Sequence, residues 1–202
     1  MRVAEGEIPL VMTDAAVIRR SRLEPEVFAV LFDRHAPFIH RYVNRRVGHG
    51  AADDLTAETF LAAFSKRGQY DLGYPDARPW LYGIATNLIG QHRREEVRQY
   101  RIRQAAVPDL DVPDLAERTA TDLTARAARG ALVAALAELP PVDRDVLILI
   151  AWEELTYPEV ARALDVPVGT VRSRLNRARR TIRAELAAGG AARAFREVFG
   201  DD

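Results

Sequence analysis

Apolar residues recur at three- and four-residue steps along most of this 202-residue chain, and nowhere do they alternate with polar ones as a strand requires. A period of 3.6 puts residues i, i+3, i+4 and i+7 on one helix face, whereas a half-buried strand has a period of two. The chain is therefore predicted to be all-α. Phe28, Leu31, Phe32, His35, Ile39, Tyr42 and Val43 mark a helix that begins at Glu24. Pro37 is expected to kink or divide it, and Gly48 and Gly50 to stop it. A second helix is predicted over 52–67, with Ala57, Phe60, Leu61 and Phe64 on its buried stripe. A third starts near Pro79, turns Trp80, Leu81, Ile84, Ala85 and Leu88 inward, and ends in a basic stretch through Arg103. Residues 1–23 show no clean periodicity and read as a loose N-terminal arm.

The pattern then breaks. Between 105 and 121, Pro108 and Pro113 interrupt any helix, while Asp109, Asp111 and Asp114 resist burial, so this segment reads as an acidic linker. Helix resumes near Leu123, with Leu132, Leu136 and Leu139 as an apolar ridge that Pro140 and Pro141 end. A short helix follows from Asp143 to Glu153, burying Val146, Leu147 and Ile150. The organisation predicted is two small helical domains, 24–104 and 122–186, with the linker between them and a tail over 187–202.

Charge is balanced in sum, 29 cationic residues against 29 acidic ones, but sorted along the chain. Residues 51–64 carry Asp53, Asp54 and Glu58 and no base; residues 170–183 carry six Arg and no acid. Alternating blocks of sign suit a molecule that meets both a polyanion and a cationic protein surface. The absence of cysteine excludes a disulfide framework, thiolate metal sites and thiol nucleophiles. No apolar run approaches the roughly 18 residues that span a membrane. Glu5, Glu7 and Asp14 interrupt any signal-peptide pattern, so a cytoplasmic location without membrane insertion is expected. Four histidines, His35, His40, His49 and His92, are the only nitrogen ligands for a metal. His35 and His40 are five apart and diverge around a helix, and His35 falls on the buried stripe as a core residue. There is no phosphate-cradling glycine loop, Walker sequence or nucleophile elbow. Neither an enzyme, a metal nor a cofactor is expected.

The most informative local pattern lies near the C-terminus. Thr156-Tyr157-Pro158-Glu159 has the form of a capping box, in which Thr and Glu satisfy orphan amides of a new helix. Val160, Ala161 and Leu164 face inward, Asp165-Val166-Pro167 makes a turn, and a further helix buries Val171, Leu175, Ala178 and Ile182. Thr170, Arg172, Ser173, Arg174, Arg177 and Arg180 then line its outer side. A short helix, a tight turn and a second helix with a cationic face match a DNA-reading helix-turn-helix. Arg can bond guanine edges bidentately, and Ser and Thr can contact phosphate or base.

Three stretches in fixed order make the chain resemble the extracytoplasmic-function sigma factors, small bacterial promoter-specificity subunits of RNA polymerase. The first, Ala52-Asp53-Asp54-Leu55-Thr56-Ala57-Glu58-Thr59-Phe60-Leu61, is similar to the helix that grips a coiled coil on the β′ subunit. The resemblance makes Asp53, Asp54 and Glu58 the candidate core-polymerase contacts. The second, Arg78 to Ile89 followed by His92-Arg93-Arg94, is similar to the segment that melts and reads the −10 element. By the resemblance, Asn87 and the loop from Gln69 to Tyr74, Tyr70 included, contact the opened non-template strand, and Arg93 and Arg94 meet its backbone. The third, Leu139 to Leu147 with the helix-turn-helix, is similar to the domain that binds the β flap and reads the −35 element. The first domain is thus region 2-like and the second region 4-like. The resemblance adds an anti-sigma protein as a further partner beside promoter DNA and core polymerase.

Stacking on aromatic side chains is worth roughly 1–3 kcal/mol per unpaired base, so a strand-opening protein needs aromatic surfaces. Tyr70, Tyr74, Trp80 and Tyr82 are available. Trp80, at helical spacing with Leu81, Ile84 and Leu88, reads as core; Tyr70 and Tyr74, in a polar loop, read as functional. The acidic linker admits two readings, simple solvation or a nucleic-acid mimic in the polymerase cleft. A free-standing helix-turn-helix regulator is the alternative function; such a protein would dimerise on a palindrome and ignore core polymerase.

Overall fold

The computed structural model describes residues 12–106 and 135–188, and the described residues contain helices and turns but no strand. The helix start near Leu123 lies outside them, as do the predicted linker beyond residue 106 and the predicted tail beyond residue 188; residues 105–106 and 187–188 are helical rather than linker and tail. The chain divides into two compact units, 1–94 and 95–202. The division falls ten residues before the predicted domain end, inside a helix that runs on without interruption.

In the first unit, α1 (Asp14–Ser21) leads through a 3-10 turn at Pro25–Phe28 to α2 (Ala29–Val47), α3 (His49–Lys66), a 3-10 turn at Arg67–Gln69 and α4 (Arg78–Ala106). α2 and α3 run antiparallel: Phe32 meets Phe60 edge-on at 4.9 Å, and His40 meets Asp53 at 2.9 Å. Gly48 alone separates them, at φ +79°, a backbone conformation that residues with a Cβ avoid. Gly50 lies inside α3 rather than stopping α2. Tyr42 joins α2 to α4, with its ring edge-on to Tyr82 at 5.1 Å and its hydroxyl 2.7 Å from Thr86 Oγ1. The core comprises Val17, Ile18, Leu31, Ile39, Tyr42, Leu81 and Ile89, all essentially inaccessible. Each such side chain contributes about 1.5–3 kcal/mol by leaving water.

The N-terminal arm is not loose over its second half. α1 is capped by Thr13, whose hydroxyl accepts the Ala16 amide, and it buries Asp14, Ala15, Val17, Ile18 and Ser21. Pro37 does not divide α2, because the proline is exposed while His35 and Ile39 anchor the helix on either side. The buried stripe of α3 is Ala52, Leu55, Thr56, Thr59, Phe60 and Ala63, so Ala57 and Leu61 face outward.

In the second unit a helical segment over 135–138 leads into α5 (Pro141–Ala151), α6 (Tyr157–Leu164) and α7 (Val168–Ala188). These three helices pack on one another around Val146, Leu147, Leu149, Val160, Leu175 and Ile182. Of the predicted apolar positions of α7, Val171, Leu175, Ala178 and Ile182 are all buried.

Candidate docking and nucleic-acid interfaces

On α3 the spacing of Asp54, Glu58 and Leu61 puts all three on one outward face. Leu61 is 66% exposed, which makes it a large apolar group beside two free-standing carboxylates. Asp53, one residue off this line, accepts from His40 Nε2 on α2. An acidic ridge with an apolar member suits a cationic protein surface that also offers an apolar contact.

The connection from α3 to α4 is a built loop. The Tyr70 hydroxyl donates to the carbonyls of Tyr74 and Asp76 at 2.8 and 3.1 Å. The Tyr70 ring packs on Trp80 at 4.9 Å, and only 7% of the residue is exposed. Asp71 Oδ1 accepts the Gly73 amide, and Asp76 accepts the Arg78 amide at the start of α4. Tyr70 is therefore the loop's internal post rather than an open stacking surface. Tyr82 is likewise buried, against Tyr42. Gln69 and Tyr74 remain on the outside of the loop, and Asn87 and Arg94 are exposed on α4. Arg93 is half-buried and donates to the Arg46 carbonyl at the end of α2.

The loop is also held from α1, which sequence reasoning missed altogether. Arg22, just past α1, donates through Nε to the Arg67 carbonyl (3.2 Å) and through Nη2 to the Tyr70 carbonyl (3.1 Å). Arg67 returns a bond to the Ser21 carbonyl and lies 3.8 Å from the Phe64 ring centroid. At the loop's other end Asp14 Oδ2 accepts the Ala77 amide at 3.0 Å. The same carboxylate accepts from His35 Nε2 at 2.8 Å and Arg34 Nη1 at 3.0 Å. Burial pushes the Asp14 carboxyl up, but the donors from His35, Ala77 and Arg34 outweigh it and hold it below its ordinary value.

In the second unit the capping box forms as the spacing predicts: Glu159 accepts both the amide and the hydroxyl of Thr156 at 2.7 Å. Asp165 ends α6 in the left-handed region at φ +50°, where the short polar side chain of Asp is among the better tolerated. The Val166 amide then bonds back to the Ala161 carbonyl, and α7 begins at Val168. Arg172, Ser173 and Arg180 are exposed on α7, with Thr170 and Arg174 half-buried at its start. Asn176 is exposed on the same outer side and belongs with them. Arg177 does not. Its Nε and Nη2 both donate to the carboxylate of Asp143, which is fully buried on α5. This pair holds the Arg177 guanidinium above its ordinary pKa and ties α7 to α5.

Among the described residues no three His, Asp or Glu side chains converge as metal ligands, and no helix is long and apolar enough to cross a membrane.

Residues 31–99 match the family model for sigma-70 region 2, and residues 129–182 that for sigma-70 region 4. The ECF RNA polymerase sigma factor SigE of Mycolicibacterium smegmatis is 37% identical over 160 residues, covering 78% of this chain and 60% of that protein. The RNA polymerase sigma factor CarQ of Myxococcus xanthus is 32% identical over 167 residues, covering 80% of this chain and 90% of CarQ. In three dimensions the chain is similar to CnrH, solved in complex with the cytosolic domain of CnrY. The TM-score is 0.60 at 25% identity, over 87% of this chain and 97% of CnrH. It shares its fold with Bartonella quintana RpoE, solved with the anti-sigma factor NepR, at a TM-score of 0.57 and 21% identity over 83% of this chain and 98% of RpoE. A helical region 2 followed by a helix-turn-helix region 4 defines a sigma-70-type chain. This one belongs to the extracytoplasmic-function (ECF) RNA polymerase sigma factors. It spans 60% of the length of SigE, and likewise of BldN of Streptomyces coelicolor.

Proposed function

We propose that the chain binds core RNA polymerase, brings it to promoters with −10 and −35 elements and promotes melting of the DNA, without catalysis of its own. One observation carries this reading: both sigma-70 regions occur on one chain, in order. Residues 24–104 serve polymerase binding and the −10 element, 105–121 tether, and 122–186 serve the −35 element. Asp53, Asp54 and Glu58 dock on the β′ coiled coil, and the second domain on the β flap. Gln69, Tyr74, Asn87 and Arg94 meet the opened strand, with Arg93 beside them. Thr170, Arg172, Ser173, Arg174 and Arg180 meet the −35 duplex, and a bidentate Arg contact to guanine is worth about 1–3 kcal/mol there. A protein partner that holds the factor inactive is part of the proposal; it is supported by CnrH having been solved with a second protein.

In vitro transcription with bacterial core polymerase and fragmented genomic DNA tests the whole reading. Discrete starts preceded by a shared two-part element are expected. Asp54→Arg with Glu58→Arg reverses an exposed face and is expected to abolish core binding while leaving thermal unfolding unchanged. Full core affinity in that variant would assign docking to another surface. A stable dimer that ignores core polymerase would establish the free-standing regulator instead.

A further inference from the structure

We propose that α1 is the positioning element of the loop over 67–77: Arg22 and Asp14 grip its two ends and fix the presentation of Gln69 and Tyr74 to an opened DNA strand. The proposal rests on the reading above that this loop meets the −10 element.

The geometry behind it is a clamp with two jaws eight residues apart, one at the first residue of α1 and one just past its end. At the entrance of the loop, Arg22 donates to two successive turns of backbone, the carbonyls of Arg67 and Tyr70, and Arg67 answers by donating to the Ser21 carbonyl. At its exit, Asp14 accepts the Ala77 amide and the Ala15 amide approaches the Pro75 carbonyl. Between the jaws the loop is propped by its own Tyr70 hydroxyl, by the Tyr70 ring on Trp80 and by the Asp71 turn. The bonds from Arg22 and Asp14 to the loop are made to its backbone, so they constrain the loop's path without engaging the side chains of Gln69 and Tyr74. A loop ordered before it meets its ligand does not lose conformational freedom on binding, which raises both affinity and discrimination. The jaws are themselves braced: Asp14 by His35 and Arg34 of α2, and Arg34 by a further bond to the Met12 carbonyl.

The test uses the full chain and its holoenzyme on promoters taken from mapped transcript starts. Three quantities are compared: amide exchange over 67–77, core affinity, and the ratio of open-complex formation on matched against singly mismatched −10 elements. Arg22 is exposed, so Arg22→Ala leaves the packing of α1 in place. It is expected to speed exchange in the loop, keep core affinity, and lower the discrimination ratio roughly tenfold, the scale of one or two lost bonds from a charged donor. Arg22→Lys is expected to recover part of the ratio, because an ammonium reaches one carbonyl where the guanidinium fork reaches two. Asp14→Asn reports the second jaw, with Arg22→Ala deciding the matter if that buried change prevents folding. Faster exchange with an unchanged ratio overturns the proposal, provided Tyr74→Ala destroys the ratio. If Tyr74→Ala leaves the ratio intact as well, the loop does not read the −10 element, and the underlying reading falls together with the proposal. Loss of core affinity in parallel with the ratio also overturns it, since α1 would then support the whole unit rather than the loop.

Discussion

Tyr70 separates two accounts of the first unit, because the family resemblance counts it among the strand contacts and the structure places it inside its own loop. Tyr70→Phe removes one hydroxyl and keeps the ring against Trp80. The hydroxyl has a single hydrogen shared between the carbonyls of Tyr74 and Asp76, at 2.8 and 3.1 Å, so the change removes the equivalent of about one net hydrogen bond. That is about 0.5–1.5 kcal/mol. In a unit of under 100 residues a loss of about 1 kcal/mol lowers the Tm by about 4–8 °C. The chain has two tryptophans, so a Trp152→Phe background leaves Trp80 as the sole reporter and follows the first unit alone. Thermal unfolding by Trp80 fluorescence should show that drop. If the Tyr70 ring instead stacked on an unpaired base, Phe would preserve both stacking and stability. An unchanged Tm in Tyr70→Phe, together with loss of open-complex formation in Tyr70→Ala, would refute the structural account.

The Asp14 carboxyl is held below its ordinary 3.8, so the folded state favours its ionised form. Its stabilising contribution is therefore present above that value and lost as pH falls through the lower folded one. Urea unfolding of native protein and Asp14→Asn between pH about 5 and about 2 should show the difference between them shrinking on the acid side. Thr156→Ala opens the capping box of α6 and should lower the stability of the second unit by about 0.5–2 kcal/mol, read by chemical denaturation. Arg172→Ala and Arg174→Ala should weaken −35 recognition with thermal stability unchanged. Arg177→Ala should lower stability first, because it leaves the buried Asp143 carboxylate without its guanidinium. Equal stability across all three variants would mean that the Arg177–Asp143 pair does not hold the unit together.

What the sequence disclosed and what it hid follow from the range of the interactions concerned. α7 was legible because Val171, Leu175, Ala178 and Ile182 are apolar, evenly spaced and all buried, and the α6 cap because its partners are three residues apart. α3 was legible as a helix but misread in phase. Phe60 belongs to two candidate stripes, and the true one runs through Thr56 and Thr59, which look polar in a sequence. Their hydroxyls donate to the Ala52 and Leu55 carbonyls, which satisfies them within the helix and lets them be buried. Leu61 is left outside as a result. α1 hid because two of its buried positions, Asp14 and Ser21, are polar, and because eight residues are too few to show a period. One of the partners that let Asp14 be buried, the Ala77 amide, lies 63 residues away, and the partner that engages the half-exposed Arg177 guanidinium lies 34 away. Local periodicity reports which side of a helix is apolar; it carries no information on which polar groups pair across the fold. In this chain those pairs decide whether a polar side chain on an outer face is available to a partner or is already holding its element in place.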